Sequence, residues 1–295
     1  MYPPLATNFW FGQSEIFLCM VLVLMLVALR RDHDRLAGLA LAAAALLRAY
    51  PLGLLGYLVV LRRWKALGWT FAGLIVGGAV TILLVGWSTV VNYAALIGVS
   101  GGAGLFGRSS ALHVPAELIK HPANLNLGWF IKWLYDRTSS RPIPAYVTIG
   151  AVLAEIAAVA ICFRATARIR ADDLDWRGYG LWIVTITLIS PLAFSVFFCC
   201  FLPMIAGMAA AFTRQEISRG TLYAIAGSYL VMTVLPSGGH PLFPIMHAAM
   251  LVLEKNHEHL VHVFAESEFA ALVLAWLAAF WFVRAARDRF ASGSI

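Results

Sequence analysis

Between Ala66 and Trp87 the sequence runs for 22 residues without a charged side chain. A helix of about 20 apolar residues crosses the roughly 30 Å hydrocarbon core of a membrane, so this stretch is long enough to span one. Apolar stretches with at most one charged residue also cover 16–29, 145–163 and 269–283. Hydrophobic residues make up 61% of the chain and charged residues only 13%, whereas soluble domains are about half apolar and about a quarter charged. The sequence therefore predicts an all-α integral membrane protein.

The basic charge of the chain does not indicate nucleic-acid binding. Its formal net charge is +7, but membrane proteins gather Lys and Arg on their cytoplasmic loops for topological reasons. All four cysteines lie inside apolar stretches without a CxxC pair, so we interpret them as small buried side chains. We expect membrane lipids around the chain, no nucleic-acid partner, no cofactor and no disulfide framework.

The distribution of Lys and Arg predicts the topology. Fifteen of the 22 basic residues lie in the connections 30–35, 62–65, 164–177 and 214–219 and in the tail from 284, and six lie in the long connections 88–144 and 237–267. If the first set is cytoplasmic, the apolar segments alternate across the membrane and the two long connections are extracytoplasmic loops. We predict full or half spans at roughly 14–30, 36–47, 51–61, 66–87, 145–163, 178–190, 193–213, 220–236 and 268–283.

One apolar block does not fit this alternation as a single helix. Both Arg35 and Arg62 belong in the cytoplasm, yet residues 36–61 between them form one block. Proline interrupts the helical hydrogen-bond ladder and disfavours helical conformation in the residue before it, so a break at Pro51 resolves the conflict. The block is then predicted to be a hairpin whose two limbs are each about 18 Å long, too short for a core of about 30 Å.

Arg48 lies at the predicted apex of this hairpin. Broken backbone inside a membrane is tolerated where protein or a water-filled cavity surrounds it. We therefore expect Arg48 to line an outward-facing cavity, because an intramembrane charge is by default a candidate functional site. The alternative is an arginine that extends along its helix to the lipid headgroups.

A second apolar block, 178–213, has the same character. Arg177 and Arg214 bound it, both in cytoplasmic connections, and Ser190-Pro191 lies near its middle. We therefore predict a second up-and-down pair of helices whose turn, with Ser190, faces the same side as Arg48.

The two long connections contain patterns of their own. The aromatic residues between Leu127 and Tyr135 predict an amphipathic helix lying in the membrane interface. The string HEHLVH at 257–262 offers histidines to a metal, and His259 and His262 share a helix face. It lacks the HExxH spacing, because Val261 stands where the second histidine is needed. A solvated interfacial helix is therefore the favoured interpretation, and no metal site is predicted.

The order of several short motifs resembles the pattern of glycosyltransferase family 87. That pattern runs from GQ-x-N through a long helix and a basic turn to AGL-x-x-G-x-x-x-x-K-x-x-P, and then to R-R-x-W. The string LISPLAFSVFFCCFLP at 188–203 is similar to a later S-P-x-S-W-x-H-Y stretch, and the resemblance covers most of residues 1–213. The earlier motifs are matched by Gly12-Gln13-Ser14-Glu15, Ala37-Gly38-Leu39, Arg48 to Pro51 and Arg62-Arg63-Trp64-Lys65.

The resemblance implies a GT-C membrane enzyme, a bundle of about seven to nine transmembrane or half-membrane helices. Such enzymes move a hexose, here of the mannose kind, from a polyprenyl-phosphate sugar to a lipid or glycan acceptor on the outer face of the bacterial cytoplasmic membrane. Arg48 occupies the family's lysine position, so the resemblance implies that it binds the donor phosphate, which arginine can contact bidentately. Gln13, Glu15, Tyr50 and Ser190 are expected to line the same cavity.

Departures from the family pattern keep other interpretations open. The general base of GT-C enzymes is an acidic residue on the first outer loop, ahead of GQ-x-N. Here the match to GQ-x-N begins at Gly12. Residues 1–295 are therefore expected to be a single transmembrane domain that lacks the N-terminal part of a longer fold. Glu15 stands where the family has asparagine and is not expected to be this base, so the catalytic residues stay unassigned. A catalytically inactive lipid-glycan-binding subunit is one alternative, because Ala193, Phe194 and Val196 replace a serine, a tryptophan and a histidine. A lipid or sugar transporter is another, although no inverted repeat is visible.

Overall fold

A computed structural model describes residues 15–92, 127–138, 144–167, 176–190, 200–213 and 269–284, the last range without 271 and 282. These residues form helices and short turns, and no strand occurs among them, which confirms the predicted all-α fold. The predicted segment 220–236 and the HEHLVH string lie outside the described residues. The helices are α1 Glu15–Arg30, α2 Asp34–Leu47, α3 Leu54–Val60, α4 Trp64–Val85, α5 Leu127–Thr138, α6 Ala145–Thr166, α7 Trp176–Ile189, α8 Leu202–Thr213 and α9 Leu272–Trp281, with a 3-10 turn at Tyr50–Gly53 and a short helical stretch over 87–92.

Two of these helices, α4 and α6, are long and apolar enough to cross a membrane. Each has 22 residues, which at 1.5 Å per residue gives about 33 Å of helix. The surface of α4 exposes large apolar side chains, among them Ile75, Leu83 and Leu84. Exposing such a broad apolar face to water is unfavourable, whereas contact with the hydrocarbon tails of lipids carries no such free-energy cost.

The helix break predicted at Arg48 is confirmed. α2 ends at Leu47, and Arg48 adopts an extended backbone with φ −150° and ψ 137°. The 3-10 turn that follows has Pro51 in its first residues, where the fixed φ of proline is favourable and its missing N–H interrupts no helical bond. The chain then returns, because Arg63 lies beside Asp34 at the start of α2, with Nη1 and Oδ1 3.4 Å apart.

The apex of this hairpin lies well short of the far end of α4. The two helices α2 and α4 run in parallel, since Gly38 packs against the backbone of Ala66 and Thr70 while Gly77 packs against Leu46. Gly77 precedes the last residue of α4, Val85, by eight positions, so Leu46, near the end of α2, lies about 12 Å below the end of α4. The expectation that the limbs fall short of a full span agrees with this geometry.

α7 packs along the hairpin and fixes the direction of α6. Gly53 lies against Ile186 and Gly56 against Trp182, so α7 runs antiparallel to α3. In turn, Thr166 of α6 accepts a hydrogen bond from Trp182 Nε1 at 3.0 Å, while Cys162, one turn earlier, lies beside Thr185. α6 is therefore antiparallel to α7, and these directions gather many basic residues at the end of the bundle opposite the apex. They include Arg30, Arg31, Arg35, Arg62, Arg63, Lys65 and Arg177.

Candidate functional site

The hairpin apex meets the first residue of α1. α1 and α2 are consecutive antiparallel neighbours, so Glu15 lies at the same end of the bundle as Arg48. The Arg48 Nη2 atom is 3.0 Å from Glu15 Oε1. The Glu15 side chain is fully buried, whereas 38% of the Arg48 side chain is exposed. One nitrogen of the Arg48 guanidinium thus contacts a buried carboxylate, while part of the side chain reaches the protein surface.

Tyr50 connects the apex to the entry of α8. Its hydroxyl lies 3.3 Å from the Cys200 Sγ atom. The Cys200 carbonyl oxygen accepts a hydrogen bond from the Tyr179 hydroxyl of α7 at 3.3 Å. The Cys200 thiol also interacts with that of Cys19, which lies one turn after Glu15 on the same face of α1. We call Glu15, Cys19, Arg48, Tyr50 and Cys200 the apex cluster.

The structure describes four of the five residues predicted for the site. Arg48 and Glu15 form the ion pair, and Tyr50 belongs to the same cluster. Ser190 is buried directly after α7, whose direction brings that end toward the apex. Gln13 lies outside the described residues. The role of these residues in lining an outward-facing cavity stays a prediction.

Sequence reasoning did not assign the two cysteines of the apex cluster to the site. It interpreted the cysteines as small buried side chains, and Cys19, Cys162 and Cys200 are indeed buried and free of disulfide bonds. The contact between Tyr50 and Cys200 joins positions 150 residues apart. The sequence feature that points to Cys200 as a site residue is its position within the string at 188–203, which resembles a motif of the family.

α5 confirms a predicted helix but differs from the predicted orientation. The Gly128 N–H, near its start, donates a hydrogen bond to Glu155 Oε1 at 3.2 Å. Near its other end, the rings of Tyr135 and Tyr146 are 6.4 Å apart in an edge contact. α5 therefore runs antiparallel along the first half of α6, with its start about 15 Å from Ala145 along that helix. The ring of Phe130 stacks on that of Phe269, with the ring centroids 3.8 Å apart.

Glu155 holds the start of α5 in place on α6. It is the one acidic residue of α6, and besides Gly128 it faces Lys132, whose charge acts on it. A carboxylate at a helix N-terminus is favourable because the free N–H groups there carry partial positive charge. The sequence signal was the single charge between Ala145 and Phe163, which the topology had left unexplained.

Replacing Glu155 with leucine is expected to destabilise the packing of α5 on α6. The Gly128 N–H would lose its acceptor and Lys132 its counter-charge, a loss of about 1–3 kcal/mol in the free energy of unfolding. Thermal unfolding in detergent measures it, and Glu155→Gln, which retains an acceptor oxygen, is the matched control. Identical melting temperatures for Glu155→Leu and the wild type would contradict this role.

The apex cluster is equipped to bind an anion. Its basic side chain is partly exposed, and it lies where the backbone is extended and the helix is broken. The part of the chain that the structure describes contains no group of three His, Cys, Asp or Glu residues that could hold a metal ion.

Comparison with known proteins identifies a family. A family model described as glycosyltransferase family 87 matches residues 1–191, about two thirds of the chain. The matched region includes α1 to α7 and every member of the apex cluster except Cys200. No curated protein and no solved structure matches the chain.

Proposed function

Because the chain belongs to glycosyltransferase family 87, we propose that it transfers a mannose-like hexose from a polyprenyl-phosphate sugar to a lipid or glycan acceptor. The observation that supports this donor best is Arg48 at the hairpin apex. It directly follows the last residue of α2, where the helix is broken, and its side chain is 38% exposed. The donor phosphate is anionic and is attached to a membrane-dissolved chain, so an arginine in a protein with membrane-length helices is a suitable partner for it.

Arg48 has two tasks in such a reaction. In the ground state it pairs with the single negative charge of the donor phosphodiester, through two parallel N–H···O bonds. As the bond between the sugar and the phosphate breaks, its electron pair stays on the phosphate oxygen, and a second negative charge develops there. A fixed guanidinium in a low-dielectric site stabilises that charge more in the transition state than in the ground state. The acceptor hydroxyl gives up its proton to a base, for which no residue is assigned.

We also propose the surroundings of the chain: a GT-C bundle of about seven to nine full or half spans in the bacterial cytoplasmic membrane. The two membrane-length helices support it. The basic residues gathered at the end opposite the apex support an orientation with that end in the cytoplasm, because Lys and Arg concentrate there. The apex cluster then faces the outer side, as do the connections 88–144 and 237–267.

A lipid-glycan-binding subunit without transferase chemistry is the second candidate. Ala193, Phe194 and Val196 stand where the family motif has a serine, a tryptophan and a histidine. Such a subunit would keep Arg48 and the donor, but it would need a partner chain for the proton transfer.

The test is sugar transfer in membranes that contain the chain. The membranes are incubated with polyprenyl-phosphate mannose, glucose or galactose carrying a radiolabelled sugar, and the lipid and glycan fractions are analysed. We expect labelled product from one donor with the wild type and with Arg31→Gln, a control at the opposite end of the bundle, and background label with Arg48→Ala. Donor binding without any labelled product would favour the binding subunit. Absence of both transfer and binding would show that the proposed function is wrong.

A further inference from the structure

Two basic side chains, Arg35 and Lys65, lie at the end of the bundle opposite the apex, one on α2 and one on α4. The Arg35 guanidinium carbon is 4.6 Å from the centre of the Trp69 ring, a distance at which a cation is attracted to an aromatic face. Lys65 lies one turn before Trp69 on the same side of α4. Gly38, one turn after Arg35, lies against the Trp69 Cβ atom, so Arg35 is level with Lys65 on the two parallel helices. All three residues, Arg35, Lys65 and Trp69, are exposed, and we call them the cationic strip.

The neighbouring carboxylates are paired with a different arginine. Asp32 Oδ1 lies 2.7 Å and Asp34 Oδ1 lies 3.4 Å from Arg63 Nη1, and the Arg63 side chain is mostly buried. Within the part of the chain that the structure describes, neither Arg35 nor Lys65 has a carboxylate within ion-pair distance. Two cations that face one strip of surface repel each other, and an anion bound between them would replace that repulsion with two attractions.

The surroundings of the cationic strip favour a lipid over a soluble anion. α4 has the length of a membrane span and begins at Trp64, which is 60% exposed. Tryptophan is enriched where lipid headgroups meet the hydrocarbon core. Leu39, one turn after Arg35 on α2, is also exposed. A headgroup next to Arg35 and Lys65 would therefore have acyl chains that contact Leu39 and the exposed apolar side chains of α4, whereas a soluble anion would contact the cations alone.

We propose that the cationic strip binds the headgroup phosphate of an anionic phospholipid such as phosphatidylglycerol. The planar Arg35 guanidinium contacts two phosphate oxygens, and the Lys65 ammonium adds a second positive charge. Trp69 is a positioning residue, because its ring holds the guanidinium in place. Arg48 lies about 20 Å away along α2, so this site is separate from the proposed donor site, and its lipid is not consumed.

The side of the membrane agrees with this ligand. In the proposed orientation the cationic strip faces the cytoplasmic leaflet, where anionic lipids attract basic residues near the membrane surface. The inference rests on that membrane setting and not on the transferase chemistry, so the two can be tested separately.

The test is the preference of the purified chain for phosphatidylglycerol over phosphatidylcholine. Both lipids are added at equal concentration to the chain in a neutral detergent, and native mass spectrometry counts the molecules of each lipid that remain bound. We expect the wild type to prefer phosphatidylglycerol. The preference should fall about fivefold in Arg35→Gln and about fivefold in Lys65→Gln, the factor expected for one basic residue near a membrane surface.

Arg31→Gln is the matched control for charge. It removes one positive charge from the same end of the bundle, but from the turn between α1 and α2, and it should keep the wild-type preference. Melting temperatures in detergent show whether the variants are folded, and Lys65→Gln decides the question if Arg35→Gln does not fold. Glycerophosphoglycerol, the phosphatidylglycerol headgroup without acyl chains, is added as a competitor and should not displace the lipid.

Three outcomes would overturn the inference. The first is equal binding of the two lipids by the wild type. The second is an equal loss of preference in Arg31→Gln and Arg35→Gln, which would indicate diffuse surface charge instead of a site. The third is displacement of the lipid by glycerophosphoglycerol, which would indicate a site for a soluble anion. A wild type that prefers phosphatidylglycerol and transfers no labelled sugar would support this site and contradict the proposed transferase.

Discussion

Replacing Arg48 with alanine is expected to weaken binding of a polyprenyl-phosphate sugar by at least about 100-fold and to remove measurable transfer. Hydrogen bonds to charged groups contribute about 1.5–3 kcal/mol each, and the guanidinium can make two of them to one phosphate. A factor of ten in affinity corresponds to about 1.4 kcal/mol, so losing both bonds gives the expected decrease. Equilibrium binding of labelled donor to the purified chain measures it.

A matched variant is needed because Arg48 also neutralises Glu15. Removing one partner of a buried ion pair costs about 3–5 kcal/mol of stability, so Arg48→Ala could lose donor binding by unfolding. The double variant Glu15→Gln/Arg48→Gln replaces the pair with two neutral amides of similar size. We expect it to fold like the wild type and to bind no donor. Wild-type affinity in the double variant would exclude Arg48 as the phosphate contact.

Replacing Gly38 with alanine is expected to destabilise the hairpin by about 1–3 kcal/mol or more. A Cβ at this position would overlap the carbonyl oxygen of Ala66 and lie 2.9 Å from the backbone nitrogen of Thr70. Backbone atoms of α4 cannot move aside as a flexible side chain can, so α2 and α4 would have to separate. Thermal unfolding in detergent measures the effect.

Gly68 is the matched control for this glycine. It lies on α4, and a Cβ added there meets no atom within 4 Å. Gly68→Ala should keep or raise the melting temperature, because alanine favours a helix over glycine by about 1 kcal/mol. A melting temperature of Gly38→Ala equal to that of Gly68→Ala would show that α2 and α4 do not pack closely at Gly38.

The hairpin could be predicted from the sequence because its causes are local. Proline fixes its own backbone and restricts Tyr50 before it, and Arg35 and Arg62 require both ends of the block on one side. The pairing of Arg48 with Glu15 was not predicted. Glu15 stands where the family pattern has an asparagine, and its contact with Arg48 forms only because α1 and α2 lie side by side.

The orientation of α5 could not be predicted, for a different reason. An amphipathic pattern indicates that one face of a helix is apolar. Either a membrane interface or a neighbouring helix can bury such a face. The decisive residue is Glu155, about 15 Å along α6, which accepts the Gly128 N–H. Nothing in the spacing of residues 127–155 shows that a carboxylate in one helix caps the start of another.

The short limbs of the hairpin affect how the chain enters a membrane during synthesis. α2 has 14 residues and α3 has seven, and an independently inserted helix needs about 20. The two limbs must therefore enter together with Arg48 between them, at a cost of about 2.5–3.5 kcal/mol for a central arginine. α1 leaves the ribosome first, so Glu15 is already present when Arg48 arrives, and α4 follows with 22 residues to close against α2. Because α1 precedes α2 in the chain, Glu15, which contacts Arg48, is synthesised before Arg48 itself.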